Sequence, residues 1–279
     1  MNFDTLIESL KASPAVDGLM LIGSASQDTL NAHSDRDLLI VLEERPIPIS
    51  YATIYCAGIL VELIIETRER IENLIASEPG SISLSDSAAS FFRWVPSGTV
   101  ILDRSGCLER LRGRIAHNEI CPTLSEGESL SRADKAHYNL AQTRRMSNSP
   151  DPLYQRAVDL RMLYQLADLM VDYFNLRGMA WAGEKESIRY WQANDPAYLE
   201  LFTACYWEPD RGERVRLYGE LVRVTIEPAG FYWDGDGPMF RLSPSSMMTR
   251  EHLLEAREFW KSLVSEGHKE STANRFAVD

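Results

Sequence analysis

Hydrophobic and polar positions follow two different rhythms along the chain, and the change falls near residue 107. Before it, short apolar runs bounded by turn residues predict buried strands, and these runs span residues 18–22, 35–42, 59–65 and 99–103. Residues 2–12 and 67–76 instead place apolar side chains at helical spacing. The first part of the chain is therefore predicted to mix strands with helices.

After residue 107 strand signals become rare, and apolar residues recur every three or four positions. This spacing predicts amphipathic helices over residues 127–146, 152–177, 197–206, 211–226 and 248–265. Asp151 is the expected N-cap of the second of these helices. Residues 228–246 are rich in glycine, proline and aromatic side chains, so we expect a loop or lid there. The pattern as a whole predicts an α+β fold with two domains, residues 1–110 and 111–279.

Composition fits a soluble globular protein, because 44% of the 279 residues are hydrophobic and 25% are charged. No apolar run approaches the roughly 18 residues of a membrane-spanning helix, and the first residues lack the features of a signal peptide. The four cysteines are scattered, without a CxxC pair, so neither a zinc site nor a disulfide framework is indicated. We therefore expect a cytoplasmic protein.

Net charge narrows the class of partner. The formal charge is −12 at pH 7, whereas binding to nucleic acid needs a basic face that neutralises phosphates. No nucleic-acid or membrane partner is expected, and a cationic small substrate is compatible with the acidic balance.

Two carboxylates open the second predicted strand, at Asp35 and Asp37. Residues i and i+2 of a strand point to the same face, so this pair is expected to project together while Arg36 points away. Neighbouring carboxylates repel each other unless a cation or a proton lies between them. Mg²⁺ typically binds one or two carboxylates together with substrate phosphates, so the pair is a candidate metal site for a nucleoside triphosphate.

Glu62 is the one charged residue inside the third apolar run. A charge in such a strand is costly unless it is paired or bound to a metal. Glu62 could therefore be a ligand of a second metal ion or a general base, or it could pair with a core arginine such as Arg93. Glu66 has the same strand parity and is a rival at the strand's end.

Gly23 and Ser24 end the first predicted strand. Glycine lets the backbone turn sharply and approach a phosphate. The Ser24 hydroxyl and the following N–H groups could then bind the phosphates, or Ser24 could cap the next helix. His33, near the aspartate pair, is better explained as a surface-loop histidine. Arg132 and His137 have the spacing of a HEPN-type ribonuclease, but such a pair on one helix arises easily by chance.

Together these residues resemble the nucleotidyltransferase superfamily, with its polymerase-β-like fold. The family pattern is hydrophobic-Gly-Ser, a spacer, Asp-x-Asp, and an acidic residue on a later strand; here it reads Leu21–Ser24, Ser34–Leu39 and Val61–Leu63. The resemblance implies a small mixed sheet flanked by helices in residues 1–110. The chain is most similar to small-molecule adenylyltransferases, such as the aminoglycoside-modifying enzymes of antibiotic resistance, which join this domain to a helical substrate-binding domain.

The resemblance implies Mg²⁺-dependent transfer, with two metal ions, of AMP from ATP to a hydroxyl of a small, aminoglycoside-like acceptor. In the second half, Asn175, Trp181 and Gly183-Glu184-Lys185 resemble a segment of related two-domain members, by which Lys185 would meet phosphate or substrate. Asp168, Asp172 and Glu184 are candidate contacts for a cationic acceptor. Two alternatives stay open: AMPylation of a partner protein, as in toxin–antitoxin pairs, and a non-catalytic nucleotide-binding module.

Overall fold

The structure is a computed structural model that describes residues 2–23, 34–230, 238–242 and 249–273, with side chains up to residue 261. The chain divides into two compact units, Met1–Thr123 and Leu124–Asp279. The change in sequence pattern placed the border near residue 110, which lies inside a helix, Cys107–Ala116. That helix belongs to the first unit because its Leu108 and Leu111 are fully buried in that unit's core.

The described part of the first unit contains both strands and helices. Its helices are α1 (Phe3–Ala12), α2 (Arg68–Ile75), α3 (Phe91–Ser97) and α4 (Cys107–Ala116). Its strands are β1 (Val16–Ile22), β2 (Arg36–Leu42), β3 (Tyr51–Cys56), β4 (Ile59–Thr67), β5 (Ile82–Ser83), β6 (Thr99–Asp103) and β7 (Pro122–Thr123). The four strands and two helices predicted before residue 107 are confirmed.

Five of these strands form one mixed sheet in the order β3-β4-β2-β1-β6. Strands β2 and β4 are parallel, and the other three neighbouring pairs are antiparallel. A parallel pair needs a crossover rather than a tight turn, and β3 lies within the connection from β2 to β4. The short strands β5 and β7 form a separate parallel pair.

The two faces of the sheet carry separate hydrophobic cores. One face packs against α1 through alternate residues of β2 and β4, including Leu38, Ile40 and Val61. The opposite face packs against α2, α3 and α4 and contains Met20, Leu39 and other buried side chains. Helices on both faces explain why the central strands read as nearly continuous apolar runs.

Strand β3 and helices α3 and α4 were not predicted from the sequence. Along β3 every second residue is exposed, and the exposed positions are Tyr51, Thr53 and Tyr55. An edge strand with one exposed face is short of the apolar residues that mark a buried strand. Helix α3 contains Pro96, which disfavours helix prediction.

The described residues of the second unit form helices joined by loops, without strands. Its helices are α5 (Glu126–Ser147), α6 (Pro152–Asn175), α7 (Glu184–Asn194), α8 (Pro196–Trp207), α9 (Arg211–Ile226) and α10 (Arg250–Ala273). The five helices predicted here are confirmed, and α7 is additional. Asp151 caps α6 as predicted, because its carboxylate accepts a hydrogen bond from the Leu153 N–H at 2.8 Å.

Aromatic residues of α6, α7 and α8 form the centre of the second unit's core. Tyr173, Trp191 and Tyr198 are each at most 2% exposed, with the Tyr173 and Tyr198 ring centroids 4.2 Å apart. Their polar atoms are partly satisfied inside the core, since the Tyr198 hydroxyl lies 2.8 Å from Thr225 Oγ1. This unit therefore has a core of its own, separate from the sheet.

The predicted fold class is confirmed: an α+β chain with a small mixed sheet flanked by helices, followed by a helical region. None of the helices in the described ranges combines the length and the apolar character needed to cross a membrane. All four cysteines are free thiols.

Candidate active site

Asp37 and Glu62 are direct neighbours across the parallel pair of strands. Their Cα atoms are register partners, and the same row continues to Ile22 of β1 and Thr53 of β3. Register partners point to the same face, and adjacent strands are about 4.8 Å apart. The structure therefore brings together two carboxylates that stand 25 positions apart in the chain.

The face that carries these carboxylates is the one covered by α2, α3 and α4. Leu39, two residues after Asp37, is buried in that core, and Ile64, two residues after Glu62, packs against it. On the same face the β3 residues Tyr51 and Tyr55 are 48% and 73% exposed. The carboxylates thus lie where the covered part of the sheet face gives way to an exposed part.

Asp35 directly precedes the first residue of β2. It therefore lies at the same end of the sheet as Asp37 and Glu62. Arg36 points to the opposite face, because its guanidinium carbon is 4.5 Å from the centre of the Phe3 ring of α1. This placement agrees with the strand alternation expected for residues 35–37. Asp35, Asp37 and Glu62 are all partly exposed, so they are accessible to a ligand.

Gly23 directly follows β1, and its backbone lies beside the Asp37 side chain. Its φ is +67°, a left-handed conformation that costs most L residues about 1–2 kcal/mol. A Cβ at this position would overlap the Asp37 carboxylate oxygen Oδ2. Glycine is therefore required here by backbone conformation and by space, and the bare backbone at position 23 lies against the candidate metal ligand.

Tyr51 and Thr53 belong to the site and were missed by the sequence analysis. Thr53 hydrogen-bonds the Tyr51 phenol, which lowers its pKa, but a hydrogen bond to Glu62, desolvation and the charges of Glu62 and Asp37 raise it more. The net effect is a raised pKa, so the phenol stays protonated at neutral pH. Tyr51 and Thr53 are two positions apart in β3, so they point to the same face as Glu62. The sequence could have indicated this only if residues 51–56 had been predicted as a strand.

The donor set suits a hard divalent cation. Asp35, Asp37 and Glu62 offer carboxylate oxygens, and Mg²⁺ prefers oxygen ligands from one or two carboxylates together with phosphate oxygens. A side chain at position 23 would collide with the Asp37 carboxylate, so glycine lets this carboxylate keep its place at the end of β1. These residues therefore fit the cation that the sequence suggested.

Other predicted site residues lie elsewhere or outside the described ranges. Ser24 and His33 fall in residues 24–33, which the structure does not describe. Glu66 pairs with Val41, further along β4 than Glu62, and Arg93 lies in α3 with its guanidinium 5.5 Å from the Trp94 ring centre. Lys185 is exposed in the first turn of α7, in the second unit.

The proposed acidic contacts for a cationic acceptor are already engaged in two of three cases. Asp168 forms an ion pair with Lys135 at 2.9 Å, and Asp172 forms one with Arg132. Glu184, at the start of α7, is exposed.

Arg132 and His137 do not make a ribonuclease-like pair. Arg132 is held in the ion pair with Asp172. His137 is 1% exposed, and burial lowers its pKa to about 4, so its imidazole is neutral near pH 7. A buried imidazole beside a committed guanidinium cannot reach a phosphodiester.

A second group of possible ligands lies at the opposite end of β1. Oxygen or sulfur atoms of Asp17, Asp103 and Cys107 lie within 4.8 Å of one another. Asp103 accepts the backbone N–H of Glu109 at 3.0 Å, and Asp17 accepts the Ser105 hydroxyl at 2.6 Å. Hydrogen bonds to the first turn of α4 explain this group as part of that helix's N-terminus.

Comparisons with known proteins show a distant similarity to a solved structure, without a match to a family model or a curated protein. No family model matches the chain, and no curated protein matches it. Among solved structures it is similar to a nucleotidyltransferase-like protein from Exiguobacterium sibiricum 255-15, at 17% identity and a TM-score of 0.40, over 96% of this chain and 90% of that one. A similarity of this degree assigns neither family nor activity.

Proposed function

We propose that the chain is a nucleotidyltransferase that transfers the nucleotidyl group of a nucleoside triphosphate, with ATP as the expected donor, to a hydroxyl of a small acceptor. The observation that carries the proposal is the register pair Asp37–Glu62 beside Gly23, with Asp35 directly before the same strand. Carboxylates gathered at one end of a sheet, with backbone in close approach, form a site for a metal-bound phosphate chain.

In this proposal Asp35 and Asp37 hold Mg²⁺, with two ions expected. Bound Mg²⁺ would neutralise charge on the phosphate oxygens. The acceptor hydroxyl gives its proton to Glu62 or to another carboxylate that acts as general base. Its oxygen forms a bond to the α-phosphorus, the bond from that phosphorus to the bridging oxygen breaks, and pyrophosphate leaves. Gly23 admits the phosphates at the end of β1, and the following Ser24 is the proposed hydrogen-bond donor to them.

Glu62 takes one of two roles, and kinetics separate them. If Glu62 is a metal ligand, Glu62→Gln raises the Mg²⁺ concentration needed for half-maximal rate. If it accepts the acceptor's proton, the variant lowers kcat at saturating Mg²⁺ and removes the acidic limb of the pH–rate profile.

The proposed acceptor is a cationic small molecule, such as an aminoglycoside-like amino alcohol, and the net charge of −12 is compatible with it. Lys185, which is exposed, is proposed to contact phosphate or substrate, and the proposed setting is the cytoplasm, where four free thiols stay reduced.

The test is incubation with α-labelled ATP, Mg²⁺ and a panel of amino-alcohol and aminoglycoside acceptors. We expect release of pyrophosphate and label on a small molecule, and loss of both in Asp35→Asn and Asp37→Asn. Glu66→Gln is the matched control, since it neutralises a carboxylate of β4 four residues beyond Glu62, away from the Asp37 row, and should keep full activity. Label on a protein band would instead indicate modification of a partner protein, and Mg²⁺-ATP binding without turnover would indicate a nucleotide-binding module.

A further inference from the structure

A groove in the second unit concentrates positive charge in an acidic protein. It lies between the C-terminal end of α5 and one face of α9, with a volume of about 840 Å³. Arg144 of α5 and Arg211, Arg216 and Arg223 of α9 line it, and Glu220 is the only carboxylate among the described lining residues. Four guanidinium groups at one site contrast with the chain's net charge of −12.

Two of the arginines are held in place by carboxylates. Arg216 forms ion pairs with Glu213 at 2.7 Å and Glu220 at 3.2 Å. Arg211 forms an ion pair with Asp159 at 2.8 Å. These contacts orient the two guanidinium groups, and each leaves some N–H donors available, because a guanidinium has five.

Arg144 and Arg223 differ from that pair. Within the described residues neither guanidinium has an ion-pair partner or a side-chain hydrogen bond, and both side chains are exposed. Their charge is therefore available to a ligand, and it is offered from both walls of the groove.

A glycine in the middle of α9 makes room for Arg144. A Cβ on Gly219 would lie 2.9 Å from Arg144 Nη2 and 3.6 Å from Leu140 Cδ1. Only the Arg144 guanidinium is too close for an alanine there. Glycine is unfavourable inside a helix, but here it lets the guanidinium of α5 lie directly over the α9 backbone.

Arg216 and Arg223 flank that position on the same side of α9. They stand three residues before and four residues after Gly219, spacings that share a helix face. Seven residues of α-helix separate them by about 10 Å along the axis. Arg144, opposite Gly219, completes a triangle of three guanidinium groups.

We propose that this groove binds a compact polyphosphate, meaning a ligand with two or three linked phosphate groups. The planar guanidinium fork matches pairs of phosphate oxygens, and the spacing of the triangle exceeds what one phosphate spans. The described lining residues include no aromatic ring on which a base could stack, and the net charge of −12 opposes a long polyanion. The groove lies wholly in the second unit, so the proposal does not rest on the proposed transferase activity.

The first test is calorimetric titration of the full chain with inorganic tripolyphosphate in EDTA, which removes metal-dependent binding at Asp35 and Asp37. We expect saturable binding that weakens with added salt. In the double variant Arg144→Gln, Arg223→Gln, affinity should fall by about tenfold or more. Arg145→Gln is the control, because Arg145 lies on the same turn of α5 but bonds Gln142 at 2.9 Å and does not line the groove.

Gly219→Ala is the sharper variant. Alanine favours the helix, so the melting temperature should stay unchanged or rise. The new methyl group should displace the Arg144 guanidinium and weaken tripolyphosphate binding by about as much as Arg144→Gln does.

Parallel titrations identify the source of the phosphates. ATP binding as tight as tripolyphosphate supports a nucleotide ligand, and weaker ATP binding supports a free polyphosphate. The proposal is overturned if the wild type binds neither, if the folded double variant or Gly219→Ala keeps wild-type affinity, or if a 20-nucleotide single-stranded RNA binds more tightly than both.

Discussion

A side chain at position 23 would collide with the Asp37 carboxylate, and this makes Gly23 a sensitive residue of the candidate site. Gly58, in the turn between β3 and β4, has a similar positive φ of +84° but nothing within 4 Å of a built Cβ. A comparison of alanine substitutions at the two glycines therefore distinguishes the cost of a left-handed backbone, which both would have, from the cost of the steric collision, which only Gly23 would have.

We expect Gly58→Ala to destabilise the protein by about 1–2 kcal/mol through its left-handed backbone alone. Gly23→Ala should cost more, because the methyl group also displaces Asp37, and it should abolish stabilisation by Mg²⁺-ATP in a thermal shift assay. Urea unfolding compares the two variants. Equal destabilisation with an intact Mg²⁺-ATP shift would show that the Gly23–Asp37 contact has no consequence.

Tyr51 provides a spectroscopic probe of the same site. The hydrogen bond with Thr53 lowers the pKa of Tyr51, but interaction with Glu62, desolvation and the charges of Glu62 and Asp37 together raise it more. Glu62→Gln removes one of those charges, so the pKa of Tyr51 should fall and the phenolate should form at lower pH.

The measurement is an alkaline titration of tyrosinate absorbance, with Tyr51→Phe subtracted to isolate this phenol among the eleven tyrosines. Glu66→Gln is the control and should leave the titration of Tyr51 in place. An unchanged midpoint in Glu62→Gln would mean that Tyr51 and Glu62 do not interact in solution.

At the scale of elements, α5 and α6 are joined by two ion pairs that differ in burial. The side chains of Arg132 and Asp172 are 22% and 6% exposed, whereas those of Lys135 and Asp168 are 55% and 36% exposed. Burial raises the pKa of Asp172, and Arg132 opposes that rise. The inner pair should therefore contribute more to helix packing than the outer pair.

Arg132→Gln should destabilise the fold by about 3 kcal/mol at pH 7, because a buried carboxylate loses its partner. Without Arg132 the pKa of Asp172 rises further, and protonation removes the buried charge. The stability deficit relative to wild type should consequently shrink as pH falls from 7 to 5. Urea unfolding at both pH values measures it.

Lys135→Gln is the control for that variant. The exposed ion pair between Lys135 and Asp168 should contribute less than about 1 kcal/mol to the free energy of unfolding, and this contribution should change little between pH 7 and pH 5. A deficit in Arg132→Gln that is no larger than in Lys135→Gln, or that grows toward pH 5, would contradict the assignment of a buried pair.

At the scale of the whole molecule, each unit contains complete hydrophobic cores. Among the residues that the structure describes, the two cores on either side of the sheet contain residues before 124, and the aromatic core contains residues from 124 onward. A region with its own core can fold alone. We expect fragments 1–123 and 124–279 each to unfold cooperatively on heating.

Circular dichroism of the separate fragments tests that expectation, with the full chain as reference. Fragment 124–279 should give a strongly helical spectrum. A fragment that shows no cooperative transition, in conditions where the full chain is folded, would mean that its core is insufficient without the other unit.

The sequence by itself determined those features that depend on local pattern. Apolar runs predicted β1, β2, β4 and β6, and helical spacing predicted most of the helices. Asp151 was correctly predicted as the N-cap of α6. The same local logic identified Gly23 at the end of a strand and Asp35 and Asp37 at the start of the next. Such features follow from backbone periodicity and from residues with restricted conformations, so neighbouring positions suffice.

Only the tertiary structure decided which distant residues meet. Nothing local indicates that β4 pairs with β2 in the register that sets Glu62 beside Asp37, because strand pairing depends on contacts between residues far apart in sequence. Tyr51 lies at the site because it belongs to the edge strand β3. That strand was not predicted, because its alternate residues are exposed and it lacks a continuous apolar run. The arginine groove likewise needs two helices whose facing positions are about 70 residues apart, and their proximity results from packing rather than local sequence.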